Sequence, residues 1–468
     1  MGVFFRAPPH PDRSSDPDAI LRVFTCGVGR RHEMASSTAA SYWRRYRSIP
    51  IVYRIGVAFL LGSLFGLVVG TPATRLQPLG DLFVQLLSML IIPIIVFTLL
   101  MGARRLSPSN LGKLGVQVVG VYMITSALAV AIGLGVGNLI NPGTGLELGN
   151  AEAQSAEAPD LLEVLLGIVP ENPIAAMANG DVLPTIFFVV LFGIALALVE
   201  QSTDASDIRA GVETFYDLAE AGAEAMFKIV WGVMEYGVVG VFALMAAVFG
   251  EAGVDAIVPF ALLILTLALA VAAHIALVHL GGIIVLLVGE SPVDFLRGGR
   301  DALVTALSIR SSSGTLPVTM SDADENLRIE EEVYSFSLPL GATINMDGTA
   351  LYQGVAAIFA ANLVGVQLGL GEQFTVVAVA VLASVGAAGV PGTGLIMLTL
   401  VLTQLGLPLE VVGFVAGVDP LLDRLRTMTN ISGDLAVTTL VAKWNDAVDF
   451  SGGTWAADGR GEVSVGDD

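Results

Sequence analysis

The sequence predicts an all-α polytopic membrane protein, and three observations carry that prediction. Of its 468 residues, 54% are hydrophobic and only 14% charged, whereas soluble chains carry roughly 25% charged residues. Two apolar blocks in the C-terminal half are broken by dense glycine, proline and serine. The last long apolar block carries charged and polar residues at helical spacing.

Taken in order, residues 51–70, 79–103, 116–140, 226–249 and 256–288 are each long enough to cross a bilayer, which takes about 20 apolar residues. A fourth region is shorter, because Pro170, Pro173 and Pro184 interrupt it and leave 185–199 as its longest apolar run. Arg44, Arg45 and Arg47 precede the first span, and Arg104, Arg105 and Lys113 separate the second from the third. The positive-inside rule puts both stretches, and so the N-terminus, in the cytoplasm. The stretch 141–165 carries Glu147, Glu152, Glu157, Asp160 and Glu163 without Lys or Arg, and is expected outside. Residues 1–33 lack the apolar core of a signal peptide; they read as a cytoplasmic tail or as lying before a true start at Met34.

The net charge of −20, with only three lysines, puts acid in loops and tails and suggests a salt-adapted host, a matter of solubility rather than fold. Nothing in this composition points to a nucleic-acid partner. Cys26 is the lone cysteine, so no disulfide framework or thiolate metal centre is possible. His10 and His32 lie in the N-terminal tail, while His274 and His279 stand five apart in an apolar block. That spacing is neither i,i+3 nor i,i+4, so the pair is expected not to share a helix face and to be structural rather than ligating. There is no Gly-x-Ser-x-Gly motif, and no histidine lies near the serine run 311–313. Nothing visible would activate a serine for hydrolysis.

The block 294–320 is interrupted by Arg310-Ser-Ser-Ser-Gly-Thr-Leu-Pro317, and the block 374–405 by Gly386-Ala-Ala-Gly-Val-Pro-Gly-Thr-Gly394. Four glycines and a proline in the second stretch do not continue a stable helix. Its flanks of about a dozen residues are too short to span alone. The economical reading is two helix–break–helix hairpins that enter the membrane and turn back; the alternative is two kinked spans. Irregular backbone at membrane depth is tolerated only where it is buried in protein or lines a wet cavity. Paired broken segments point to inverted repeats with a binding site between them.

In the block 408–446, Asp419, Asp423, Arg426, Thr427, Asn430 and Asp434 interrupt an apolar run. At about 100° per residue these six occupy a face roughly 100° wide. Charge at the bilayer centre costs at least about 2.5 kcal/mol, so such groups face the interior and mark ion or substrate pathways. Asp423 suits an ammonium, Arg426 clamps a carboxylate bidentately, Asn430 bonds a second carboxylate, and Asp434 suits a small cation. A buried network that only holds helices together is the plainer alternative. A second acidic site is Asn345-Met-Asp-Gly-Thr349, inside the apolar run Phe336 to Val364. Gly348 permits unwinding there, and the carboxylate, amide, hydroxyl and carbonyl oxygens are what a hard cation binds.

These motifs together resemble the dicarboxylate/amino acid:cation symporter family, which includes excitatory amino acid transporters and their archaeal aspartate-transporting relatives. The resemblance covers about residues 45–446 and rests on Ser311-Ser-Ser-Gly-Thr-Leu-Pro317, Asn345-Met-Asp-Gly-Thr349, Gly389-Val-Pro-Gly392 and the run Asp423–Asp434. It implies eight transmembrane helices plus two re-entrant helical hairpins, built as inverted repeats, in a plasma-membrane homotrimer embedded in the lipid bilayer. A tail over 1–48 would precede spans 1–2 of a scaffold (49–111). Span 3 (112–140) would join a mobile transport domain that moves like an elevator. The acidic loop and spans 4–5 (141–250) would complete the scaffold. Span 6, hairpin 1, span 7, hairpin 2 and span 8 (251–446) would complete the transport domain, followed by an acidic tail (447–468).

By resemblance, an acidic amino acid would meet Ser312, Thr349, Val390, Gly394, Asp423, Arg426, Thr427 and Asn430. Sodium would be the co-transported ion. One sodium would use Asn430, Asp434 and carbonyls near Gly341 and Asn345; a second, Thr343, Met346 and carbonyls near Ser384 and Ala387; a third, Tyr122, Thr125, Ser126, Asn345 and Asp347. Relatives that carry a proton and return potassium have an acid where this chain has Gln353, so sodium coupling without potassium return is expected. A dicarboxylate without an ammonium would leave Asp423 unpartnered, which favours L-aspartate or L-glutamate. A proton-coupled glutamate carrier or a C4-dicarboxylate carrier is the alternative within the class, and an anion channel is one outside it. One departure stands out: relatives usually carry one extra arginine near the substrate, and this chain has both Arg310 and Arg424.

Overall fold

The computed structural model describes residues 46, 48–105, 108–145, 166–202, 205–384 and 393–456. A short N-terminal unit ends at Pro50, and its described part is a turn in which the Ile49 amide donates to the Tyr46 carbonyl. The second unit, Ile51–Asp468, holds everything that follows. The stretches around Cys26, His10, His32, Met34, the arginines 44, 45 and 47, and the acidic loop 146–165 lie outside the described residues.

The described residues are helical and form no sheet; one isolated antiparallel bridge joins Ile329 to Val448. In chain order the helices are α1 (Ile51–Val69), α2 (Gln77–Ser88), α3 (Ile91–Arg105), α4 (Pro108–Ile140), α5 (Pro173–Asn179), α6 (Val182–Ser202) and α7 (Ser206–Ala252). Next comes α8 (Ile257–His274), which runs on as a π-helix over Ile275–Val288. Then follow α9 (Pro292–Gly298), α10 (Arg300–Ile309), α11 (Ser312–Ser321), α12 (Glu331–Ile344), α13 (Asp347–Leu363), α14 (Leu370–Ser384), α15 (Thr393–Gln404) and α16 (Glu410–Trp444).

Among the described residues, four helical stretches are long and apolar enough to cross a membrane: Thr71–Gly102, Gly112–Ile140, Val182–Ser202 and Ser206–Val288. Large apolar side chains on their outer faces, such as Leu198, Leu277 and Leu286, are exposed; contiguous apolar surface of this kind suits lipid rather than water. Helix α16 is 35 residues long, about 52 Å at 1.5 Å per residue. Its own charged stripe, not its length, keeps it out of that apolar set.

Two layers follow from the packing. Helices α1 and α2 both pack on α7, and α3 packs on α6. The Arg54 guanidinium of α1 holds the Glu235 carboxylate of α7 by two bonds of 2.6 and 2.7 Å. The other layer surrounds α13, of which every residue except Asn362 is buried. A helix apolar on all sides belongs in a core, and α13 is covered by α4, α8, α14, α15 and α16. Backbones of α4 and α13 approach closely because Gly354 faces Val130, where a Cβ would lie 2.8 Å from the Val130 carbonyl oxygen. Small residues at helix contacts are the usual device for tight packing within a membrane.

The breaks differ from the sequence expectation. The interruption expected over Arg310–Pro317 narrows to Arg310 and Ser311. Arg310 takes a left-handed conformation (φ 59°, ψ 38°) as it ends α10. Ser311 starts α11 by accepting the Gly314 amide on its hydroxyl at 3.0 Å, an N-cap that satisfies a donor the helix cannot. Once capped, α11 runs straight through Pro317. The unwinding expected at Gly348 falls earlier, at Asn345 and Met346, and Asp347 already opens α13. Helices α14 and α15 flank residues 385–392, which lie outside the described residues, Val390 and Ala387 with them; the side chain of Ser384 is likewise outside them.

Candidate functional site

Helix α16 presents Asp419, Asp423, Arg426, Thr427, Asn430 and Asp434 to the interior, and all six are buried. Arg426 is 1% exposed. One of its terminal nitrogens donates to Asp423 Oδ1 at 2.7 Å, one turn back on the same helix. The other lies 2.8 Å from Asp419 Oδ1 but off hydrogen-bond alignment, so both of those atoms remain without a hydrogen-bond partner. The Tyr352 ring of α13 lies under the guanidinium, 4.5 Å from its carbon. From α15, Gly394 comes so close that a Cβ there would lie 2.5 Å from the same carbon. Arg310, at the α10–α11 break, brings NH1 to 3.7 Å from Asp423 Oδ2.

Buried polar atoms are normally all partnered. Here Arg426 Nε and NH1, Asp419 Oδ1 and Asp423 Oδ2 are buried without hydrogen-bond partners. Donors and acceptors of opposite charge are therefore held side by side with bonding capacity left over. Such a set matches a small molecule that carries both an anionic and a cationic group. Of the remaining residues expected around a substrate, Ser312 opens α11 and Thr349 sits in the first turn of α13, both buried. Thr427 uses its hydroxyl locally, donating to the Asp423 carbonyl at 2.8 Å. Arg424 leaves this cluster and donates to the Leu307 carbonyl at 2.6 Å, near the end of α10. The two extra arginines thus have separate partners. Sequence reasoning missed Tyr352, whose only signal was its place three residues after Thr349.

The second polar centre lies at the break between α12 and α13. Asp347 is fully buried and its two oxygens divide their partners. Oδ1 accepts from the Ser126 hydroxyl at 2.7 Å and the Thr125 hydroxyl at 3.3 Å, both from α4. Tyr122, expected beside them, instead points its hydroxyl at the Ser337 carbonyl, 3.2 Å away. Ser337 in turn meets the Thr438 hydroxyl at 2.7 Å. Asn345 donates to Asp434 Oδ1 at 2.9 Å, while its own Oδ1 is a buried oxygen without a partner. Gly341 leaves room for both Asp434 and Tyr122, since a Cβ there would lie 2.5 Å from an oxygen of each. Asn430 joins the two centres: its Oδ1 accepts the Gly348 amide at 2.8 Å and its amide faces Met346 sulfur at 3.3 Å. Thr343 lines a cavity of ≈ 530 Å³ with Ser313, Phe336 and Pro339. The buried carboxylate, amide and hydroxyl oxygens near Asp347 and Asp434 form a donor set suited to a hard cation.

The expectation that His274 and His279 do not share a face is overturned. The backbone from Ile275 to Val288 is a π-helix, whose i→i+5 hydrogen bonds bring residues five apart onto the same side. The two rings lie 4.6 Å apart, edge to face. Both Nε2 atoms approach Asp347 Oδ2, at 3.4 Å from His274 and 3.2 Å from His279. A spacing rule that assumes 3.6 residues per turn does not see this pair.

Residues 51–444 match the sodium:dicarboxylate symporter family. The chain is 32% identical over 412 residues to the proton/sodium-glutamate symport protein of Geobacillus stearothermophilus, covering 85% of this chain and 95% of that one. It is 34% identical over 387 residues to the proton/glutamate-aspartate symporter of Escherichia coli (strain K12), covering 80% and 86%. It is also 32% identical over 425 residues to the C4-dicarboxylate transport protein of Bacillus subtilis (strain 168), covering 89% and 98%.

Proposed function

We propose that this chain, which belongs to the sodium:dicarboxylate symporter family, is a secondary active symporter, not an enzyme, that imports L-aspartate or L-glutamate with sodium. The observation that carries the reading is the buried Asp419–Arg426–Asp423 ion cluster, in which Arg426 Nε and Asp423 Oδ2 are left without hydrogen-bond partners. A substrate carboxylate completes the Arg426 fork, and a substrate ammonium takes Asp423 Oδ2. Ser312, Thr349, Val390, Gly394, Thr427 and Asn430 close around the rest. A sodium ion at Asn430 and Asp434, a second near Thr343, Met346, Ser384 and Ala387, and a third at Thr125, Ser126, Asn345 and Asp347 drive uptake. The break at Arg310–Ser311 and the one between α14 and α15 are the tips of two re-entrant hairpins in an eight-span protomer with inverted repeats. The protomer is one of three in a plasma-membrane trimer with a cytoplasmic N-terminus. The half built around α13 and α16 moves against the half built on α1, α2, α3, α6 and α7 as an elevator.

Relatives named for proton coupling and for C4-dicarboxylates set the competing readings. The discriminating measurement is uptake of labelled L-aspartate and of succinate into proteoliposomes, with an inward sodium gradient or with choline in its place. Sodium-dependent aspartate uptake, lost in Arg426→Ala and in Asp423→Asn, is the expected result. Uptake driven by a proton gradient and indifferent to sodium sinks the ion assignment. Succinate uptake that survives Asp423→Asn sinks the amino-acid assignment.

A further inference from the structure

We propose that His274 Nε2, His279 Nε2 and Asp347 Oδ2 form a binding site for a divalent transition-metal ion of the zinc and cobalt class, buried in the core beside α13. The three ligand atoms lie within 4.8 Å of one another, and all three residues are buried. Its imidazole donors set this site apart from the sodium positions above, with one of which it shares Asp347. Two imidazoles and one carboxylate are a donor set of borderline softness, which suits zinc and its neighbours and not an alkali cation.

The distances carry the argument. Zinc binds imidazole nitrogen and carboxylate oxygen at about 2.0–2.2 Å in a tetrahedron, and the edge of such a tetrahedron is about 3.3–3.5 Å. Both histidine nitrogens stand at 3.4 and 3.2 Å from Oδ2, close to such an edge and at or beyond the long end of the 2.7–3.2 Å range of an N–H···O bond. The second support lies one shell out. His279 Nδ1 meets the Ser432 hydroxyl of α16 at 3.1 Å, the outer hydrogen bond that fixes the tautomer of a ligating histidine. A third support is the backbone itself. π-Helical backbone is rare, and π-turns are frequent at functional sites; this one is what turns a spacing of five into a shared face. Helix α16 passes the cluster at Gly433, where a Cβ would lie 3.0 Å from Asp347 Oδ2 and 3.1 Å from His279 Nε2. No side chain at that position competes for the site.

The carboxylate works on both sides. Oδ1 faces the Thr125 and Ser126 hydroxyls, Oδ2 the two imidazoles. If Asp347 also holds a co-transported cation, the divalent ion opposes it. That clause rests on the function proposed above; the binding itself does not.

The test uses the full chain, untagged, with His10→Ala and His32→Ala to remove the tail histidines. Cobalt(II) is titrated into the detergent-purified protein and followed by its visible d–d absorption. One equivalent giving an intense tetrahedral spectrum is expected, and His279→Gln weakens it at least tenfold. Zinc K-edge X-ray absorption on the same background, without the His279 change, keeps the test open if the variant does not fold. It is expected to show two imidazole scatterers at about 2.0–2.1 Å. No tetrahedral cobalt spectrum, or one undiminished in a folded His279→Gln protein, overturns the site, and so does a zinc spectrum with no imidazole. Neither readout needs transport, so failure of the symport reading leaves the metal result intact. Loss of the cobalt spectrum as sodium rises supports the shared carboxylate, and insensitivity to sodium overturns that sharing.

Discussion

Substituting Gly394 by alanine tests how the Arg426 guanidinium is held. A methyl at this position would lie 2.5 Å from the guanidinium carbon and 2.7 Å from NH2, with NH1 closer still. Ordinary van der Waals contact starts at 3.4 Å, so the group must move by about 0.9 Å. The obstacle is the far end of a flexible side chain, so the fold survives. The guanidinium does not keep its place, because its bond to Asp423 is 2.7 Å long and a shift of that size breaks the alignment. A hydrogen bond between charged groups contributes about 1.5–3 kcal/mol, and every 1.4 kcal/mol is a factor of about ten. Gly394→Ala is therefore expected to raise the KM for aspartate uptake about ten- to hundredfold, with a melting temperature within a few degrees of the wild type. Gly348→Ala is the control of opposite kind. There the methyl would lie 2.6 Å from the Arg426 Cα, and backbone cannot step aside. That variant is expected to lose folded protein rather than affinity. Measuring uptake kinetics and detergent-solubilised melting for both decides the matter. An unchanged KM in Gly394→Ala means that Arg426 is not positioned by this contact and does not set substrate affinity.

The Arg54–Glu235 pair is 5% and 17% exposed at its two side chains, so removing one partner strands a buried charge. Arg54→Met is expected to destabilise by about 3–5 kcal/mol, and the double change Arg54→Met with Glu235→Leu to recover most of that; melting curves of the three proteins check it, and equal losses in single and double variants refute it. Arg424→Ala is expected to lower the melting temperature by loosening the end of α10, where its guanidinium holds the Leu307 carbonyl, with no change in the KM for aspartate. A KM rise above tenfold would put Arg424 on the substrate instead.

Much of the architecture was legible in the sequence because apolar length and glycine or proline density are local signals. The run 408–446 resolves into α16 over 410–444 because its polar residues repeat at the helix period. The same period placed six polar groups on one face, and all six are buried. What stayed hidden depends on backbone conformation or on contacts between distant segments. The histidine pair was hidden because the π-helix changes which residues are neighbours. Ser311 narrows the expected 310–317 break because one cap is enough to restart a helix, even with Pro317 ahead. The motif Asn345–Thr349 announced a break but not its position: Gly348 is where α13 meets α16, so it serves close approach rather than unwinding. Tyr352 beneath Arg426 left no pattern, since a tyrosine among apolar residues is ordinary core.

The contact at Gly348 also bears on how two sites can be coupled. Coupling between ligands requires an element whose position both of them bias. Gly348 touches the backbone of Arg426, gives its amide to Asn430, and follows Asp347 directly. The Asp419–Arg426–Asp423 cluster and the oxygen cluster at Asp347 and Asp434 therefore meet at one helix start. On the proposed function, a cation that orders Asn345–Asp347 would fix the first turn of α13, and with it Tyr352 under the guanidinium. A substrate carboxylate that completes the Arg426 fork would load the same α16 backbone against the same turn. By linkage, whatever factor the ion adds to substrate affinity, the substrate adds to ion affinity. A symporter needs that reciprocity, and here the path for it is one glycine wide.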